Sequence, residues 1–297
     1  MVKITDLVRQ GRVLVSDGAW GTMLQYKGLK PGECPEEWNI SHEEDVFDIA
    51  GKYINAGSDM IETNSFGGSR FKLERYNLGE KVFEINKVAA QISRQAAGSK
   101  FVLGSVGPTG KILMMGDVAG EELYDAFKVQ VKGLEAGGAD AIMIETMTDI
   151  EEASLAVRAA RENTGCEVFC TMTFERTVTG EYRSMMGVSP TEMIQPLIDA
   201  GADMIGANCG NGIEGMVHII REIRLANSEI PLLVHANAGM PLLVGGVTVF
   251  PETPDEMAVV VPQIIEAGVN VIGGCCGTTP AHIARIRETV DKLSGKP

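Results

Sequence analysis

Long apolar runs are missing from this sequence. The amino terminus, Met1-Val2-Lys3-Ile4-Thr5-Asp6, has no continuous hydrophobic segment, and no stretch elsewhere approaches the ~20 residues that span a bilayer. The chain is therefore expected to carry neither a secretion signal nor a membrane anchor, and to be cytoplasmic. A basic surplus is missing too: Lys and Arg total 26 against 40 Asp and Glu, a formal charge of -14, which argues against a nucleic-acid partner because phosphates need neutralising. No Gly-x-Gly-x-x-Gly closes the first β-like run, as a dinucleotide-binding open sheet would require. Gly107-Pro-Thr-Gly-Lys111 is not a phosphate loop, since Ile112 stands where Ser or Thr is needed and the upstream glycine spacing fails. No Pro/Ser-rich linker, charge block or low-complexity stretch divides residues 1–297, so one domain with a sizeable core is expected from the 44% hydrophobic content. Cysteine is scarce, six in all, and does not resemble the framework of a small secreted scaffold. Two of the six are adjacent, and clustered thiols in a reducing compartment point to metal or catalysis.

What is present is an alternation. Short β-branched or apolar runs at 12–17, 59–63, 101–106, 141–146, 167–173, 204–208, 231–236 and 270–274 each end in a small or polar residue and are followed by a helical pattern. Four runs are preceded by a near-repeat: Ala56-Gly-Ser-Asp59, Gly137-Gly-Ala-Asp140, Ala200-Gly-Ala-Asp203 and Ala267-Gly-Val-Asn270. Their glycines mark helix ends, where a left-handed cap stops the helix before the next strand. Helices are expected over 190–199 and 253–266, with Thr191-Glu192 and Asp255-Glu256 in their first turns. Eight strand-helix units predict an α/β fold, a (β/α)8 TIM barrel forming a single domain over 1–297, in preference to an open doubly wound sheet.

In a parallel barrel the working residues lie at the carboxyl ends of the strands. Here those ends are polar: Ser16-Asp17-Gly18, Glu62-Thr63-Asn64-Ser65, Glu145-Thr146, Asn208-Cys209-Gly210, His235-Ala236-Asn237 and Gly273-Gly-Cys-Cys-Gly277. Adjacent strand residues face opposite ways, so Cys275 and Cys276 can serve one site only if the backbone bends, and the flanking glycines allow that. Cys209 lies two strands away, roughly 10 Å at the backbone, a gap that inward-leaning thiolates can close. Three sulfurs would leave a thiophilic, tetrahedral ion such as zinc with one open position, the arrangement of a catalytic site. A substrate thiol bound there loses its proton near neutral pH and becomes an electron-rich nucleophile. The plain alternative for Cys275-Cys276 is a pair of buried small hydrophobes.

These motifs, together with Asp17-Gly-Ala-Trp-Gly-Thr22, Glu62-Thr-Asn-Ser-Phe66, Gly104-Ser-Val-Gly-Pro108, Asn237-Ala-Gly239 and Cys275-Cys-Gly-Thr-Thr-Pro280, resemble the homocysteine S-methyltransferase family, in particular the homocysteine domain of the cobalamin-dependent methionine synthases. The resemblance runs from about Asp17 to His282. It implies zinc held by Cys209, Cys275 and Cys276, and Asp17 and Glu145 beside the amino-acid part of homocysteine, with Glu62 and Asn64 as weaker candidates. It also implies methylcobalamin, or another methylcorrinoid, supplied by a partner protein. Competing readings keep the zinc thiolate but take S-methylmethionine, S-adenosylmethionine or a betaine as donor, or make the chain a non-catalytic zinc-binding partner of a corrinoid protein. Trp20 departs from the family, where a smaller or more flexible residue is expected. Met114-Met115 and Met185-Met186 fall in loops after the third and fifth strands and offer polarizable side chains for docking or for simple loop packing. His235 reads as a satisfied barrel histidine, and Cys34, Cys166 and Cys170 as structural.

Overall fold

Every expected apolar run forms a strand in a computed structural model, which describes residues 2–295. The strands are β1 Leu14–Val15, β2 Met60–Glu62, β3 Phe101–Val106, β4 Ala141–Met147, β5 Glu167–Met172, β6 Met204–Gly212, β7 Leu232–Asn237 and β8 Val271–Gly274. Within this eight-stranded sheet all pairings are parallel and sequential, and β8 pairs with β1, so the sheet curls back on itself; two antiparallel ribbons, 175–176 with 182–183 and 242–244 with 247–249, lie in the loops after β5 and β7. Between β1 and β2 side chains help to close the seam: the Asp59 N–H donates to the Val15 carbonyl at 2.7 Å, its carboxylate accepts from the Val15 N–H at 2.9 Å, the Ser58 hydroxyl donates to the Ser16 carbonyl at 3.3 Å, and the Glu62 N–H donates to the Asp17 carboxylate at 2.9 Å. The result is a (β/α)8 barrel. Its outer helices are α1 Glu43–Asn55, α2 Val82–Ala97, α3 Gly120–Gly137, α4 Ile150–Asn163, α5 Ile194–Ala200, α6 Ile213–Ala226, α7 Pro254–Glu266 and α8 Pro280–Leu293. Helix α7 starts on the capping box Thr253/Glu256, as its sequence predicts. Helix α5 begins four residues later than expected: Pro196 has no N–H to offer the Glu192 carbonyl, and the residues before Ile194 form a turn with mixed i→i−3 and i→i−4 hydrogen bonds.

Strand periodicity explains why one end of the barrel is inert and the other reactive. The lower interior is apolar, with Leu14, Met60, Leu103, Met143, Phe169, Leu233 and Val271 packed on Ile4 and Val8 of the helix Ile4–Arg9, which plugs the floor. Glu167 at the start of β5 fixes that plug by accepting the N–H groups of Ile4 and Thr5 and the Thr5 hydroxyl. Two residues further along six of these strands the buried side chains become polar: Ser16, Glu62, Ser105, Glu145, Thr171 and His235. Because residues i and i+2 share a face, this one-step change lines the mouth with hydrogen-bonding groups.

The four near-repeats turn out to be four copies of one device. At each even strand, one oxygen of Asp59, Asp140, Asp203 or Asn270 accepts from a backbone N–H of the preceding odd strand, at Val15, Val102, Val168 or Leu232, over 2.7–2.9 Å. The same oxygen takes an arginine from a helix: Arg287, Arg94, Arg161 or Arg224. The glycine two residues earlier has φ between 101° and 107°, and a Cβ there would meet that same arginine. All four glycines are thus required by conformation, and Gly57, Gly201 and Gly268 by space as well.

Candidate metal and substrate site

Cys209 lies within β6 at a φ of 58°, and Thr146, one residue after Glu145, has a φ of 60°. Both are left-handed conformations that side-chain-bearing residues rarely adopt, and a β-branched Thr least of all. Asn208 holds the two bends together. Its side-chain oxygen accepts from the Thr146 N–H at 2.7 Å and from the Thr171 hydroxyl at 2.7 Å. Its amide nitrogen donates to the Thr146 hydroxyl at 2.7 Å, reaches Glu145 at 3.3 Å, and approaches the Cys275 sulfur at 3.9 Å. The sequence pointed to Cys209 and gave its neighbour no role; the Asn-Cys-Gly string was the available signal.

On β8 the chain turns sharply after Gly274. The Cys275 N–H donates to the Ala236 carbonyl, the Ala238 N–H to the Cys276 carbonyl, and the Thr278 hydroxyl to the Cys275 carbonyl at 2.7 Å. A Cβ on Gly274 would lie 2.3 Å from the Thr278 hydroxyl, so the bend needs glycine. The outcome is that Cys209, Cys275 and Cys276 bring their sulfurs within 4.8 Å of one another, with Cys209 and Cys276 at 3.8 Å. Zinc–sulfur bonds of about 2.3 Å in a tetrahedral shell place neighbouring sulfurs about 3.8 Å apart, so this donor set fits zinc. Thiol hydrogen bonds from Cys275 and Cys276 push Cys209 down to about 3, while Cys276 rises to about 12 and Cys275 also rises. A thiophilic dication bound here would displace the thiol protons that remain. Cys34, Cys166 and Cys170 are buried elsewhere, where burial raises their thiols to about 12 or beyond.

The three sulfurs border a cavity of about 260 Å³ that also touches Glu62, Glu145, His235 and the start of the helix Trp20–Lys27. No Lys or Arg lines it among the described residues. Glu145 accepts from the Ser105 hydroxyl on one oxygen and from Asn208 on the other. Asp17 sits one layer behind the cavity wall, its oxygens taken by the Glu62 N–H at 2.9 Å, the Trp20 indole N–H at 2.9 Å and the Ser16 hydroxyl at 3.1 Å. Trp20, the unexpected residue, therefore forms part of the wall and fixes Asp17 at the same time. Burial raises all three carboxyls above their ordinary values, and they raise one another: Asp17 acts on Glu62, and Glu62 on Glu145. Asn64 lines the cavity too, but its amide nitrogen donates to the Pro35 carbonyl at 2.7 Å and to Asn39 at 3.2 Å, tying down the segment that covers the pocket.

A family model described as homocysteine S-methyltransferase matches residues 14–290. The chain belongs to the homocysteine S-methyltransferase family. Within it, similar relatives are the methionine synthase of Mycobacterium tuberculosis (strain ATCC 25618 / H37Rv), 36% identical over 312 residues and 97% of this chain, and that of Mycobacterium leprae (strain TN), 34% identical over 313 residues and 98% of this chain. The chain spans only 26% and 25% of those two proteins, about a quarter of their length. Among solved structures, the homocysteine methyltransferase MmuM from Escherichia coli in its metallated form overlays with a TM-score of 0.78 at 21% identity, covering 95% of this chain and 98% of that one, a likeness of fold. In this family member, no helix of the described residues is long and apolar enough to cross a membrane.

Proposed function

We propose that this domain is a zinc-dependent methyltransferase that converts homocysteine to methionine, with the methyl group delivered by a methylcorrinoid on a partner protein. The observation that carries the reading is the meeting of three thiols beside a small acidic cavity. Cys209, Cys275 and Cys276 would hold a zinc ion, and the ion would supply the Lewis acidity that lowers the pKa of a substrate thiol toward neutral pH.

The chain's own residues supply the rest. Asn208 fixes the turns that present Glu145 and Cys209. Glu62 and Glu145 face the substrate ammonium, with Asp17 behind them, and this charge lets carboxyls held up by burial ionise. The helix Trp20–Lys27 begins without a side-chain cap, and its first residues line the cavity. Its free N–H groups suit the substrate carboxylate. Asn64 keeps the covering segment in place. A zwitterion with a thiol on a short arm matches this layout.

The cavity of about 260 Å³ lies below the ~300 Å³ lower end of ordinary ligand pockets, so the methyl donor meets the bound thiol at the mouth. The sulfur then displaces the donor in line: the new carbon–sulfur bond forms as the donor's bond to methyl breaks, and the donor leaves with that electron pair. Around the mouth, loops after β3, β5 and β7 expose Met114, Met115, Met185 and Leu243, each at least 70% exposed, a soft apolar rim suited to a large planar donor. The names of the mycobacterial relatives support methionine as product.

The test uses zinc-loaded protein, homocysteine, and either methylcobalamin or S-methylmethionine, and follows methionine. Turnover with methylcobalamin is expected. Rapid turnover with S-methylmethionine and none with methylcobalamin would overturn the donor assignment, and a zinc X-ray absorption spectrum unchanged by homocysteine would overturn the thiol reading itself.

A further inference from the structure

Cations gather at one place beside the mouth, although the chain as a whole carries a charge of -14. The point that a Cβ on Gly110 would occupy lies 3.4 Å from Arg75 Nη2 and 3.6 Å from Lys72 Nζ, and Lys111 is the next residue. Lys111 Nζ stands 5.6 Å from the centre of the Phe71 ring, next in sequence to Lys72. Arg75 is exposed, Lys72 and Lys111 are half-buried, and none of the three lines the cavity. Among the described residues none of them forms an ion pair. Acids nearby are engaged by other groups: Glu74 pairs with Arg70 at 2.6 Å, Glu36 accepts from the Gly67 N–H at 2.6 Å, and Glu152 accepts from the Thr109 N–H at 2.8 Å and the Thr109 hydroxyl at 2.5 Å.

The loop that carries Gly110 and Lys111 abuts the cavity wall. Its Gly107 N–H donates to the Phe66 carbonyl at 2.9 Å, a Cβ on Gly107 would fall 2.5 Å from the Phe66 ring, and Phe66 lines the cavity. A phosphate site draws on free backbone N–H groups, and here they are spent: Gly107 on Phe66, Thr109 on Glu152, and Lys111 on the Thr109 hydroxyl at 3.2 Å. The loop therefore offers side-chain charge without a cradle. Exposed Phe66, Met114 and Met115 adjoin the cations in sequence or in space. Separate charges interleaved with apolar side chains match the edge of a protein interface, and like charges this close repel one another until an anionic surface meets them.

We infer that Lys72, Arg75 and Lys111 form a docking patch for an acidic protein surface, which draws the donor-carrying partner to the mouth. This rests on the donor reading above and adds to it how the partner is guided. Opposite charges on exposed rims speed encounter more than they tighten binding, which suits a partner that must leave to be remethylated.

The experiment titrates a fluorescently labelled hexaglutamate peptide into zinc-loaded protein at low salt and follows its anisotropy. The Lys72→Gln, Arg75→Gln, Lys111→Gln variant should bind the peptide about 10-fold more weakly than wild type, each exposed pair carrying a modest share. A control, Lys132→Gln, Arg221→Gln, Lys292→Gln, removes the same charge from exposed positions on α3, α6 and α8 and should stay within about twofold of wild type, because those positions lie outside the patch. Turnover of homocysteine with free methylcobalamin should be the same in all three proteins. No binding by wild type, or equal weakening in both variants, would overturn the patch; a loss of turnover in the first variant alone would place its residues in the site itself and overturn the docking role. Tripolyphosphate bound more tightly than the peptide, and lost with the same three residues, would make this a phosphate site instead. Peptide binding as expected in a wild-type protein that shows no turnover with methylcobalamin would sink the donor reading and leave the acidic-surface assignment standing.

Discussion

Asp140 allows a sharp separation of charge from hydrogen bonding. One of its oxygens accepts from the Val102 N–H at 2.7 Å and also from Arg94. In Asp140→Ala the N–H of Val102, a fully buried residue, loses its acceptor, at a cost of about 1–3 kcal/mol. Loss of the ion pair adds little. The Arg94 side chain is 32% exposed, which places the pair at about 0–1 kcal/mol, and the arginine keeps the carbonyls of Gly138 and Lys100. Together the change should cost about 1–4 kcal/mol and, in a chain of 297 residues, lower the Tm by about 2–6 °C. Asp140→Asn keeps the acceptor oxygen, so it should cost under about 1 kcal/mol. The fourth copy of the clamp already uses Asn270, whose oxygen takes the Leu232 N–H at 2.8 Å and reaches Arg224 at 3.4 Å. Urea unfolding of both variants, read by far-UV circular dichroism and tryptophan fluorescence, decides the matter. If Asn proves as damaging as Ala, the charge carries the clamp and the argument from the buried N–H is wrong.

At the sulfurs, the Cys275→Ser, Cys276→Ser double variant should bind no zinc at stoichiometric level while the barrel remains folded, because the site lies at the mouth and not in the core; metal analysis and cooperative unfolding check the two halves, and stoichiometric zinc in the double variant would remove the site. The acidic floor makes a pH prediction. Burial raises Glu62 and Glu145 above the ordinary 4.5, so from that pH upward the folded protein holds more protons than the unfolded chain, and their contribution to stability is lost as pH rises through the folded values. The Glu62→Gln, Glu145→Gln variant should therefore show a flatter fall of Tm as pH rises above 4.5 than the wild-type protein without ligand, and parallel curves would contradict the burial argument.

The barrel and its sulfur cluster could be read from sequence because both depend on local patterns: strand-length apolar runs, capping glycines and a Gly-flanked pair of cysteines. What escaped involves partners distant in sequence. The Asp or Asn that closes each near-repeat looked like the residue after a helix cap, yet its acceptor role depends on an N–H 35 to 44 residues away in all four copies. Trp20 raised doubt about the pocket, and only its contact with Asp17 explains how a large ring is used there. Asp17 itself, expected beside the substrate, stands behind the wall because Trp20 and the Glu62 backbone occupy its oxygens. Asn208 and His235, whose Nε2 finds no partner among the described residues, show the same limitation. A buried amide or imidazole has no sequence pattern that tells whether its atoms are paired, since the pairing groups come from neighbouring strands.

The clamps at 59, 140, 203 and 270 all sit where strands begin, while the sulfurs and acids sit where strands end. A mutation that reshapes a mouth loop leaves every clamp shut, so the molecule can be retuned toward another thiol or another donor without loosening its frame. Each clamp joins one pair of neighbouring strands in the same manner, so a fault at 140, 203 or 270 falls on a seam that also has a backbone ladder, whereas one at 59 falls on the seam that has none. Selection on chemistry and selection on persistence thus act on different residues, and drift at one end of the barrel need not be repaired at the other.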